Sequence, residues 1–166
     1  MSDIVFTIRP ELPSDDAAVD ALHDEAFGPG RFARTAFRLR EGVPHDRALS
    51  FSATIDDDIV GSVWLTPILI GEAPALLLGP LTVSPTVKHI GIGRALMRTV
   101  MSAAAEAGHG LVLLVGDEPY YGVFGFKPVA PGTVMLPGPV DPKRLLLAEL
   151  KGGASIAARG MARSVR

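Results

Sequence analysis

The chain contains no cysteine. That absence excludes disulfides, thiolate metal sites and a cysteine nucleophile together, and it suits a reducing compartment. It has no charge of one sign to spare. Sixteen lysines and arginines stand against 18 acidic residues, a formal net charge of −2. There is no basic run, so a nucleic-acid-binding role gains no support. No apolar run approaches a membrane span, and Met1-Ser2-Asp3-Ile4 lacks the charged-then-apolar pattern of a signal peptide. A soluble, cytoplasmic protein is expected. There is no internal repeat, low-complexity segment or linker, and 166 residues suit one domain. A domain of this size buries roughly 70% of its unfolded surface, so its core needs no staples.

What the sequence does contain is organised around residues 81–96. Leu76 to Leu78 and Leu81 to Val83 form the apolar, partly β-branched run of a buried strand, which Ser84-Pro85 stops. Ile92, Leu96, Val100, Ala103, Ala104 and Ala107 then recur at helical spacing, and Gly108 stands where a helix ends. The first turn of a helix carries amide hydrogens without partners and the positive end of the dipole. Glycines at 91 and 93 clear side chains from that turn, and Lys88, Arg94 and Arg98 add positive charge. A phosphate or pyrophosphate fits such a mouth. The plainer reading, a helix start that needs glycine only for close packing, stays open on spacing alone.

The other elements follow in order. Residues 4–9 read as a short strand closed by Pro10 and Pro13. Ser14 is a candidate N-cap, with Asp15 and Asp16 favouring the helix start and Val19, Leu22 and Ala26 on its apolar face. Gly28-Pro29-Gly30 breaks it. A second helix is expected over Arg31 to Arg40, with Phe32, Ala36 and Leu39 inward, ended by Gly42 and Pro44. Leu49 to Ile55 and Ile59 to Leu65 are expected to pair as a hairpin across Asp56-Asp57-Asp58. Pro67 complicates the far end. Gly79-Pro80 contradicts a regular strand, since proline is confined to edges and bulges. Leu111 to Val115 is apolar throughout, as a parallel strand covered on both faces would be. Strand, helix and strand make a βαβ unit with a right-handed crossover. Phe126 to Val129 and Val134 to Leu136 are weaker strand candidates, and Leu145 to Leu150 reads as a final strand or a helical turn. Nothing in the pattern places 152–166, which is expected to be a C-terminal tail.

Lys88-His89-Ile90-Gly91-Ile92-Gly93 resembles the acetyl-CoA-binding motif of the GNAT acyltransferases, Gln/Arg-x-x-Gly-x-Gly/Ala after a strand and Val-x-Pro. Tyr120-Tyr121-Gly122-Val123-Phe124-Gly125-Phe126 resembles the family's Tyr-x-x-x-Gly-Phe signature, in the Tyr-Tyr-x-x-Phe-Gly-Phe form of a small bacterial branch. The match covers about residues 79–128. The resemblance implies an α/β (α+β) fold with a mixed, mostly antiparallel sheet, a splayed central parallel pair and flanking helices. It implies one acyltransferase domain over 1–166, with acetyl-CoA as co-substrate and no metal. The cofactor would lie on Leu81, Thr82, Val83, Lys88, His89, Ile90, Gly91, Ile92, Gly93 and Arg94, with the pantetheine arm in the splay. Two positions depart from the pattern: Lys88 stands for Gln or Arg, and His89 stands where glycine is common. Lysine brings charge without arginine's fork.

Acyl transfer from a thioester to an amine needs a base, an oxyanion site and an acid for the leaving thiolate. The resemblance makes Tyr121, four residues before Gly125, the acid. The alternative is a packing role on the pantetheine arm. Tyr120, Phe124 and Phe126 read as packing. A backbone amide near Thr82 or Val83 is the oxyanion candidate. Asp117, Glu118, His45 and His89 are available as bases, and no spacing selects among them. His23 and His109 read as surface or end-cap residues. In this family the two N-terminal helices and the loops around them wall the acceptor site, and here that region carries Arg31, Arg34, Arg38, Arg40 and Arg47 with Glu41 and Asp46. A solvated face explains that charge, and an acceptor bearing a carboxylate or phosphate is the sharper reading, resting on Arg34 and Arg38. A small-molecule amine is expected as acceptor ahead of a protein. No nucleic acid and no membrane are expected as partners, and a homodimer is left open. The expected activity is transfer of acetyl to a primary amine in a ternary complex, against an alternative of an acyl-CoA-binding module without catalysis. A dinucleotide-binding unit is disfavoured because position 96 is Leu rather than a third glycine.

Overall fold

A computed structural model describes residues 4–28 and 35–165. The expected break at Pro29-Gly30 and the start of the second helix, with Arg31, Phe32 and Arg34, lie outside them. The first strand, β1 (Thr7–Pro10), leads through a 3-10 turn (Pro13–Asp15) into α1 (Asp16–Phe27), and α2 covers Thr35–Arg40. Then come β2 (Phe51–Ile55), β3 (Asp58–Ile70), β4 (Ala73–Val83), α3 (Ile92–Glu106) and β5 (Leu111–Val115). The last part holds a one-turn helix α4 (Glu118–Tyr121), β6 (Lys127–Pro128), β7 (Val134–Met135), β8 (Leu145–Glu149) and β9 (Gly160–Ser164). The fold is the mixed one expected. The main sheet runs β1-β2-β3-β4-β5-β8-β6, and within that path only β4 and β5 are parallel.

Side-chain alternation builds a core on each face. Val63, Leu65, Leu76, Leu78, Val112 and Leu114 turn toward α3 and meet its buried Ile92, Leu96, Met97 and Val100. Ile68, Ile70, Ala75, Leu77, Leu111 and Leu113 turn the other way, toward Leu39 and Ala162. Strand β5 is therefore covered on both faces, which is why it reads as unbroken apolar sequence. Burying each large side chain of α3 contributes about 1.5–3 kcal/mol.

Several expectations change in detail. Ser14 does not cap α1; the Asp15 carboxylate closes the preceding turn by accepting from the Leu12 amide, the Ser52 hydroxyl and Arg9. Ala26 is exposed. Leu49 sits in a 3-10 turn ahead of β2. The hairpin turn is Asp56-Asp57, both at positive φ. Strand β3 runs on through Pro67 because pairing with β2 ends at Val63 and pairing with β9 begins at Ile68, which leaves that edge open at the proline. The described part of the C-terminal segment, 152–165, carries a strand. Its strand β9 pairs antiparallel with β3 and parallel with β7. The signal was weak because only Ala162 of β9 is buried.

Candidate functional site

The parallel pair holds register only at Leu76↔Val112 and Leu77↔Leu113. Beyond those pairs β4 bulges. Gly79 and Pro80, joined by a cis peptide bond, together face the single residue Trp64 of β3. After the bulge, Leu81, Thr82 and Val83 pair with Val63, Ser62 and Gly61 along one edge. Their other edge has no strand among the described residues, so backbone groups there are open to a ligand. The Thr82 hydroxyl is buried and meets no hydrogen-bond partner among the described residues.

Beyond Val83 the chain turns through Pro85–Val87 to the start of α3. Lys88, His89, Gly91 and Arg94 are exposed around that start, and Ile90 and Gly93 are half-buried. Ile92 is 1% exposed and packs in the core, so only its backbone faces the loop. His89 has φ 75° and Gly91 φ 95°. Both positions lie in the left-handed region that glycine enters without cost, which accounts for the glycine common at position 89 in the resemblance. The His89 side chain nevertheless stays at the surface. At Gly93 a Cβ would come within 2.7 Å of the Tyr120 hydroxyl. Tyr120 thus packs against the helix start as well as against Tyr121.

A cavity of about 810 Å³ opens at the splay, lined from β4 by Leu78 to Leu81 and from β5 by Leu114 and Val115. Tyr121 lines it. Its ring lies so close to Gly116 that a Cβ there would clash with ring carbon Cε2. Burial, with lesser help from Tyr120 and Asp117 and against Arg144, pushes the Tyr121 phenol up to about 12. The two adjacent tyrosines, edge to face at 4.8 Å, therefore divide: one hydroxyl goes to the helix start, the other ring to the cavity.

The opposite wall comes from residues far apart in sequence. His45 stacks flat on Trp64, centroids 4.0 Å apart, and His23 meets the same indole edge-on at 4.8 Å. Glu11, 4% exposed, accepts from Trp64 Nε1 at 2.9 Å and from His45 Nε2 at 2.5 Å. A carboxylate only accepts, so Nε2 carries the hydrogen and Nδ1 is left as the acceptor of a neutral ring. The His45 loop is pinned by the Asp46 amide, which donates to the Leu65 carbonyl at 2.7 Å. His23, expected at the surface, is buried.

The arginines separate in the same way. Arg47 pairs with Asp16 at 2.8 Å and reaches Glu11 at 3.4 Å. Arg38 is exposed and donates to the Pro137 carbonyl. Arg40, by contrast, turns into the cavity. Glu118 and His89 lie off the cavity, and Asp117 pairs with Arg144 at 3.2 Å. Among the base candidates, His45 alone combines a cavity position with a buried carboxylate partner. Glu11 and Trp64 escaped sequence reasoning altogether, and no local pattern marks them. Among the described residues no group of His, Asp and Glu could hold a metal ion.

Comparison with known proteins gives this geometry a family. The model of the acetyltransferase (GNAT) family matches residues 16–126. An uncharacterized N-acetyltransferase of Escherichia coli K12, YhbS, is 29% identical over 125 residues, 72% of each chain. A second from the same strain, YjhQ, is 30% identical over 129 residues, 75% of this chain and 71% of that one. The crystal structure of YhbS in complex with CoA superposes with a TM-score of 0.82 at 26% identity, covering 99% of this chain and 92% of that one. A GNAT family acetyltransferase from Brucella melitensis in complex with acetyl-CoA gives a TM-score of 0.62 at 29% identity, covering 92% and 99%. The chain belongs to the GNAT acetyltransferase family.

Proposed function

We propose that this GNAT family member is an acetyl-CoA-dependent N-acetyltransferase that passes acetyl directly to a primary amine in a ternary complex. The observation that carries this reading is one cavity that joins the open edge of β4 to Tyr121 on one side and to His45, backed by Glu11, on the other. The relatives solved with CoA and acetyl-CoA support the choice of co-substrate.

In this reading the first-turn amides of α3, with Lys88 and Arg94, receive the pyrophosphate, whose charge suits the helix dipole. Leu81, Thr82 and Val83 offer their open backbone edge to the pantetheine arm, and an amide at Thr82 or Val83 faces the oxyanion. His45 Nδ1 takes the proton of the amine while Glu11 holds Nε2–H, which makes Glu11 a positioning residue. The amine nitrogen bonds to the carbonyl carbon, the C–S bond breaks, and its electron pair leaves on sulfur. Tyr121, protonated at neutral pH, donates a hydrogen bond to that sulfur. An ordinary thiol near 8.5 is more acidic than this phenol, so the proton rests on oxygen at equilibrium. An acceptor that arrives as ammonium loses two protons: the first passes through His45 Nδ1 to solvent and frees the nucleophile, and the second, lost as the amide forms, ends on sulfur by way of solvent.

Calorimetric titration with acetyl-CoA, with CoA and NADH alongside, tests the first half. Saturation at 100 times Kd should add about 2.7 kcal/mol, a Tm rise of about 5–11 °C for a domain this size. Thiol release over an amine panel tests the second half, free of protein-thiol background because the chain has no cysteine. Acetyl-CoA binding without release on any amine would overturn catalysis and leave a binding module.

A further inference from the structure

Arg40 ends α2, and its guanidinium meets the bulge in β4: a Cβ on Gly79 would lie 2.9 Å from Nη2. Its Nε is fully buried with no hydrogen-bond acceptor among the described residues. No carboxylate among them pairs with it, and desolvation alone draws its pKa down to about 10, so it stays charged at neutral pH. Arg40 is half-buried as a whole, and the penalty of a buried donor without an acceptor falls on its Nε. A charge desolvated in a cleft marks a candidate ligand site.

Its position says which ligand. Gly79 lies four residues before Val83, about 14 Å along an extended strand. Arg40 is therefore remote from the helix start, where the pyrophosphate is proposed, and sits at the reactive end of the splay. Other charged groups line the same cavity: Asp20, Asp117, Asp141, His23, His45 and Arg144. Arg144 is engaged by Asp117, and Asp141 caps the turn at Lys143. The acidic members would repel a dianion such as a phosphate, and they tolerate the ammonium form in which an amine arrives. A single guanidinium fork matches a planar monoanion through two parallel N–H···O bonds.

We propose that the acceptor is an aliphatic amine that also carries a carboxylate, of amino-acid type, and that Arg40 grips this carboxylate at the mouth of the β4–β5 splay. The proposal rests on the acetyl-transfer reading for the identity of the site. It moves the anion contact from Arg34 and Arg38, where the sequence suggested it, to Arg40.

The test uses the full chain saturated with CoA and titrates N-acetylamino acids against their amide twins, which differ only in the carboxylate. The carboxylates should bind at least tenfold more tightly. Arg40→Met should erase that preference and leave the amides and CoA within twofold, and Arg40→Lys should keep part of it. Arg40→Met should melt no lower than the wild type, because the substitution removes an unpartnered charge. Thiol release from acetyl-CoA with free amino acids and their amides should show the same ratio in kcat/KM. Equal binding of acids and amides by the wild type would overturn the proposal. So would a preference that survives Arg40→Met, or an equal loss for acids and amides in that variant. If no amine is acetylated, the acetyl-transfer reading fails, and the Arg40-dependent preference in the binding titration still decides this one.

Discussion

The cavity and the loop that continues from its β4 edge, where only Leu81 of residues 81–94 lines the cavity, are made of different material. Around residues 81–94 the surfaces offered to a ligand are largely backbone: an unpaired strand edge, a bulge and the first turn of α3, with Lys88 and Arg94 exposed at the rim. Facing them is a wall of side chains, Glu11, Arg40, His45 and Trp64, drawn from β1's exit, α2, a loop and β3. A backbone site recognises what every reaction of a family shares, because main-chain amides are the same in every sequence. A side-chain site can be rewritten one residue at a time, and it is where an acceptor is chosen. Substitutions on the two sides should therefore separate binding of acetyl-CoA from turnover.

The largest effect is expected at His45. His45→Gln should lower kcat about 10³-fold, within the range for general bases. Acetyl-CoA affinity should stay within twofold. Near-normal kcat in that variant would remove His45 as the base and with it the functional contrast between the walls. Tyr121→Phe should come next, at about 100-fold in kcat. Phenylalanine keeps the ring that lies over Gly116, so acetyl-CoA binding should hold. Near-normal turnover would reduce Tyr121 to packing.

The same division explains what the sequence could and could not tell. The strand to Val83, the helix from Ile92 and the apolar β5 each rest on local periodicity, whereas Tyr121 stands out only through its resemblance to a family signature. The side-chain wall has no such signature. Glu11 lies in a stretch that reads only as a proline-bounded break, yet it bonds to residues 34 and 53 positions away. Arg40 looks like one more charge on a helical face. Whether it points to water or inward depends on β4, which the helix pattern does not contain. His23 reads as a surface residue until Trp64, on β3, is seen to cover it. Strand β9 was missed for a related reason, since its place is set by an edge that β3 leaves free after Pro67.

Support for the side-chain wall can be measured through stability. Asp15, beside the start of α1 and 4% exposed, is held down to about 2 by the Arg9 guanidinium first, then by the Leu12 amide and the Ser52 hydroxyl. A carboxylate whose folded pKa is depressed stabilises above its unfolded value near 4, and that contribution is lost as pH falls toward 2. Arg9 is partly solvated, so the effect is discounted to about 1–2 kcal/mol, or about 2–8 °C in Tm. Asp15→Asn should lose that amount at pH 7 and show a shallower fall of Tm between pH 4 and pH 2. An unchanged slope would mean that another carboxylate carries the acid sensitivity.

The smallest effects are expected on the backbone side, and they sharpen the comparison most. Lys88→Glu and Arg94→Glu should each raise the acetyl-CoA Kd about tenfold at low ionic strength, and the effect should shrink as salt screens exposed charge. Neither should change kcat at saturation. His89 gives the finer test. Its backbone holds φ 75°, where glycine is at ease and another residue costs about 1–2 kcal/mol. If the loop works through its amides, His89→Gly should raise Tm slightly and leave the Kd within twofold. A tenfold loss of affinity would show that the imidazole itself contacts the phosphates, and recognition on this side would then depend on a side chain as much as the acceptor wall does.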